Sequence, residues 1–74
     1  MREYLEIVGE TVQRFEVFKN CVYQSFPKAD ICIRLSFKEA LRILQYEVER
    51  ASKVTCSPDF WDTLEFRARE WSSR

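Results

Sequence analysis

The stretch Tyr4–Phe26, YLEIVGETVQRFEVFKNCVYQSF, decides the fold. It can be read against two periods. As an α-helix, it gathers Leu5, Val8, Val12, Phe15, Phe18, Val22 and Phe26 on one face at spacings of three and four. Glu6, Glu10, Gln13, Asn20 and Gln24, with Glu3 just ahead, take the opposite face, and Val17 alone is out of place. As a β-hairpin, Gly9-Glu10 would form a two-residue turn of the Gly-X kind. That register sets Leu5 opposite Arg14 and Glu6 opposite Gln13, so neither face is cleanly apolar. The pattern therefore favours a helix of about 25 residues, nearly 40 Å long at ~1.5 Å per residue. The hairpin remains the rival, because Gly9 inside a helix costs about 1 kcal/mol relative to Ala.

Pro27 ends this element, since the residue before a proline is pushed away from the α region. KADICIRL, residues 28–35, alternates Ile31, Ile33 and Leu35 against Cys32 and Arg34. It reads as a short extended linker or a single edge strand. SFKEALRILQYEVERASK then opens a second helix. Ser36 caps it, Glu39 completes a capping box, and Leu35 packs on Ala40 as a hydrophobic staple. Phe37, Leu41, Leu44, Val48 and Ala51 form its inner stripe, widened by Ala40 and Ile43. A third helix follows from SPDFWDTLEFRAREW, with Ser57 as cap and Pro58 at the first helical position. Asp59 and Asp62 favour its positive end. Phe60, Trp61, Leu64, Ala68 and Trp71 share its apolar face, and Phe66 points the other way.

The fold expected from these elements is all-α. A single small domain over residues 1–74 packs a long N-terminal helix with two shorter helices, joined by the extended linker 28–35, as a small helical bundle. The alternative is α+β, with an N-terminal β-hairpin and the strand at 30–35 packed under two helices.

Composition narrows the function. The chain has 74 residues, 46% of them hydrophobic and 15% aromatic, which excludes a disordered tail. Twelve basic and twelve acidic side chains give zero net charge, against both a DNA-coating protein and an acidic DNA mimic. Cys21, Cys32 and Cys56 are odd in number and widely spaced, and there is no histidine. Zinc is thus not expected, and the thiols read as reduced, which points to the cytoplasm. Glu3, Glu6 and Glu10 interrupt any signal-peptide pattern. The uncharged run Asn20–Pro27 is too short to span a bilayer.

The inventory for catalysis is thin. Without histidine there is no Ser–His or Cys–His arrangement, and one glycine is too few for phosphate-cradling loops. The carboxylate pairs Glu6/Glu10 and Asp59/Asp62 read as solvated charges, and Cys56 beside a helix start reads as structural rather than reactive. No active site, metal or cofactor is expected. What remains is surface. Val17, Tyr46 and Phe66 break otherwise polar helix faces. Tyr46 sits in a basic stripe of Lys38, Arg42, Arg50 and Lys53. Three uses compete for that stripe: a solvated face held by Glu–Arg pairs, a docking surface for an acidic protein or a second copy, and contact with nucleic-acid phosphates.

The expected function is a small non-catalytic protein-binding module, regulatory or accessory. It would be an inhibitor or adaptor of the phage or viral type, acting as a homodimer, with Val17 and Phe66 in a self- or partner-interface. The alternative is a dimeric helical nucleic-acid binder that grips a dsRNA or DNA backbone through the stripe.

Overall fold

The computed structural model describes residues 3–72, and side chains for residues 3–70. The architecture is α+β and corrects both the all-α expectation and the helical bundle. Its elements are β1 (Tyr4–Val8), β2 (Val12–Val17), β3 (Val22–Phe26), β4 (Ile31–Leu35), α1 (Phe37–Arg50), β5 (Lys53–Cys56) and α2 (Phe60–Ser72). The strands form one antiparallel sheet in the order β4-β3-β2-β1-β5. Both helices lie against one face.

The long N-terminal helix is replaced by three strands, and the reason lies in the first turn. Val8 pairs with Val12, so the loop is Gly9-Glu10-Thr11, three residues rather than two. The Gly9 N–H donates to the Thr11 carbonyl at 3.1 Å. One added loop residue shifts the register by one, and a one-residue slip exchanges the faces of a whole strand. Leu5 now meets Phe15, Ile7 meets Gln13, and Glu6 meets Arg14. Leu5, Ile7, Phe15 and Val22 are buried on the helix side. Val17 is opposite Val22 on that same face and packs against the core. It looked misplaced only because a period of 3.6 was imposed on a strand.

The other face carries Tyr4, Glu6, Arg14, Glu16 and Tyr23 and is not covered by a helix. The Arg14 guanidinium lies 4.5 Å from the centre of the Tyr4 ring. It reaches Glu6 at 3.7 Å and Glu16 at 3.1 Å. Such solvated pairs fix side-chain order more than they add stability.

Part of the proposed linker is a strand. Ile31–Leu35 pairs with β3 from Phe26↔Ile31 to Val22↔Leu35. Residues 27–30 make the turn, in which the Ala29 N–H donates to the Phe26 carbonyl. Asp30 adopts φ 54°, a left-handed conformation that short polar side chains tolerate.

Helix α1 follows the sequence logic closely. The Ser36 hydroxyl accepts from the Glu39 N–H, and the Glu39 carboxylate accepts from the Ser36 N–H, each at 3.1 Å. Phe37, Ala40 and Leu44 are buried, with Leu41, Ile43, Val48 and Ala51 partly so. The helix starts beside the last residue of β4 and ends where Ala51 lies 3.9 Å from the point a Gly9 side chain would occupy. It therefore runs diagonally over the sheet, from the β4 edge to the β1–β2 turn. Its 14 residues span about 21 Å.

Strand β5 was not foreseen, because Lys53 was placed on the second helix. α1 stops at Arg50, and Lys53–Cys56 pairs with β1 instead. The pairing is extended by the Ser52 N–H to the Val8 carbonyl and the Ser57 N–H to the Tyr4 carbonyl. The Ser57 hydroxyl accepts from the Tyr4 N–H at 3.1 Å, so it ties a strand rather than serving only a helix start. α2 begins at Phe60 and buries Phe60, Leu64 and Ala68 on the expected face. Its Arg67 donates to the Lys19 carbonyl at 2.9 Å and clamps the β2–β3 turn. The Trp71 side chain lies outside the described residues.

Candidate binding surface on the first helix

Lys38, Arg42, Tyr46 and Arg50 recur every four residues along α1 and are all exposed. The i, i+4 spacing places each one turn from the next along one side of the helix. Lys53 leaves this row: it sits on β5, where it pairs with Val8. Val17 is partly buried. Phe66 is 65% exposed on the outer side of α2, away from Phe60 and Leu64. The structure thus joins four of the stripe residues and keeps Val17, Lys53 and Phe66 apart from them.

Within the row, Tyr46 and Arg50 act as a unit. The Arg50 guanidinium donates to the Tyr46 hydroxyl at 2.6 Å and lies 5.3 Å from the centre of its ring. Tyr46 is nonetheless 57% exposed. At the start of the row, the Ser36 backbone N–H and hydroxyl, aided by the Arg42 charge, hold the Glu39 carboxyl below the ordinary glutamate range. That carboxylate is therefore ionised at neutral pH and tempers the charge of Lys38 and Arg42.

Tyr46 and Arg50 stand at one wall of a cleft of about 360 Å³ between α1 and the β1–β2 turn. Thr11, Gln13 and Glu47 line it, with Glu10 at the turn. Gln13 is buried and belongs to a chain of amides. The Gln24 side-chain N–H donates to the Gln13 carbonyl oxygen at 2.7 Å. The Gln13 N–H group in turn reaches Thr11 Oγ1 and Glu47 Oε2, each at 3.4 Å. Every buried side-chain N or O among the described residues has a partner. Burying two glutamines costs little when their hydrogen bonds are complete.

The helical reading missed this cleft. It put Gln13 and Gln24 on the solvent side, whereas both are at least 93% buried beneath α1. The available signal was the strict alternation of Gln13, Phe15 and Val17, which assigns Gln13 to the apolar face of a strand. Glu47, next to Tyr46, carries no signal of its own in the sequence.

The arrangement offers hydrogen bonds, a ring face and one cation, Arg50, held against that ring. Among the described residues, no group of three or more His, Cys, Asp or Glu is placed to hold a metal ion. Compared with family models, curated proteins and solved structures, the chain has no significant match. No helix among the described residues is long and apolar enough to cross a membrane.

Proposed function

We propose that this protein is a small non-catalytic binding module, an inhibitor or adaptor, that presents the Lys38–Arg42–Tyr46–Arg50 row to an acidic surface on a partner protein. The observation that carries this reading is the Tyr46–Arg50 pair. An exposed aromatic ring held by its own arginine has lost side-chain freedom before any partner arrives, which lowers the entropic cost of docking. Tyr and Arg are also the residue types that dominate interface energetics. The partner supplies carboxylates to Arg42 and Arg50 and lays an apolar group on the Tyr46 ring. Three free cysteines, two of them exposed, suit a reducing cytoplasm.

Amide chemical shifts of the labelled protein, titrated separately with a glutamate-rich peptide and a short RNA duplex, test this. Shifts confined to α1 with the peptide, weakened about tenfold or more by Tyr46→Ala with Arg50→Ala, are expected. A response to the duplex instead, fading as salt rises, overturns the reading in favour of phosphate binding. No response to either leaves the row a solvated face.

A further inference from the structure

We infer that the free edge of β4 pairs antiparallel with β4 of a second copy, so that two five-stranded sheets become one continuous sheet across a two-fold axis. This rests on a different surface from the row on α1. β4 closes one end of the strand order, so one side of its backbone has no neighbour among the described residues. A bare strand edge is a template for another strand. Its sequence, Ile-Cys-Ile-Arg-Leu, contains no lysine or proline to block that use.

The side chains point the same way. Ile31 and Ile33 lie on the helix side, opposite Phe26 and Gln24, yet α1 crosses away from them. They stay 50% and 41% exposed, two β-branched residues adjacent on one open strip. An antiparallel two-fold pairing keeps both copies' helices on the same side of the sheet. It sets the Ile31–Ile33 strips edge to edge, which covers in each what α1 leaves open.

Charge selects the register. Among the described residues, neither Asp30 nor Arg34 has an ion-pair partner. With Cys32 at the axis, Ile31 of each copy meets Ile33 of the other, and Asp30, in the turn just ahead of the strand, comes beside the other copy's Arg34, twice. Centring on Ile33 instead would set Arg34 against Cys32 and leave Asp30 without a counter-charge. A closed, self-complementary contact of this kind is what two-fold symmetry requires.

Light-scattering mass and thiol cross-linking test the pairing together. The chain is 8.9 kDa, and twice that mass is expected in solution. Ile31→Lys with Ile33→Lys is expected to return the mass to one chain with an unchanged far-UV circular dichroism spectrum. Cys32 and Cys56 are the exposed thiols and Cys21 is buried. A short bismaleimide should therefore cross-link Cys56→Ser into dimers and leave Cys32→Ser as single chains. A single-chain mass at every concentration overturns the proposal, as does a dimer that survives the double lysine variant. Should the lysine variant lose its fold, the cross-link decides: a dimer not captured through Cys32 overturns the pairing, and one captured there upholds it.

Discussion

The two edges of the sheet are finished in different ways. At β5 the chain re-enters beside β1 and is tied at both ends, through Ser52 to Val8 and through Ser57 to Tyr4. Lys53 opens that strand, and Pro58 follows it two residues beyond its end. At β4 the chain runs straight from the strand through Ser36 into α1 and never returns. β5 is short and stitched at both ends, while β4 is one residue longer and carries two half-exposed isoleucines. Both are outer strands of one sheet, so position alone does not make an edge available. The apolar side chains left open along the strand set β4 apart.

The strongest way to break this contrast is to weaken the core under each edge. Leu5 is fully buried and pairs with Cys56 of β5, so Leu5→Ala should cost about 3–4 kcal/mol. That rivals the whole stability expected of a domain this small, and urea unfolding should find little native protein. Leu35→Ala, at the end of β4, should cost only about 2 kcal/mol. Equal losses would mean that the two edges are equally anchored. Next in size is Ser57→Ala, which leaves the Tyr4 N–H without its side-chain acceptor and should cost about 1–1.5 kcal/mol. Hydrogen exchange should show faster loss at Tyr4 and along β5, with β4 unchanged.

On the β4 side, Ser36→Ala removes the capping box and should lower stability by about 1 kcal/mol. The same variant should bring the Glu39 pKa back up towards its ordinary value. In the native protein that pKa is depressed, so the capping carboxylate stabilises fully above the ordinary glutamate range. Its contribution is lost as pH falls through the lowered value. An NMR titration of Glu39 that midpoints in the ordinary range would contradict the cap. Smallest is Gly9→Ala. Gly9 has no positive φ, and an added methyl would meet Ala51 and Arg50 only at ordinary contact distance. A gain of about 0.5 kcal/mol is expected from the less flexible unfolded chain. A clear loss in the thermal melt would mean that the β1–β2 loop needs glycine.

The second half of the chain was largely legible and the first half was not. Ser36 and Glu39 announce a helix start through local chemistry, and the local bonds form as read. Phe60, Leu64 and Ala68 likewise mark the buried face of α2. Over Tyr4–Phe26 the apolar residues satisfy both periods, and the choice turned on one loop residue, Thr11. β5 has almost no local signal: Lys-Val-Thr-Cys is a strand because β1 offers an unpaired edge about fifty positions earlier in the chain. The same distinction governs the surface. Tyr46 stood out as an aromatic among cations within one helix. Its cleft depends on Gln13 and Thr11, which only the tertiary fold brings to it.

The strand order also sets a timetable. β1 is made first, yet its second neighbour, β5, leaves the ribosome only after β2, β3, β4 and α1. The three buried residues of α2 and the Arg67 clamp on the β2–β3 turn come later still. Until they emerge, the nascent meander carries an apolar face without its full cover. The cover supplied by α2 is therefore the last to form, and chaperone contact should persist until α2 has emerged.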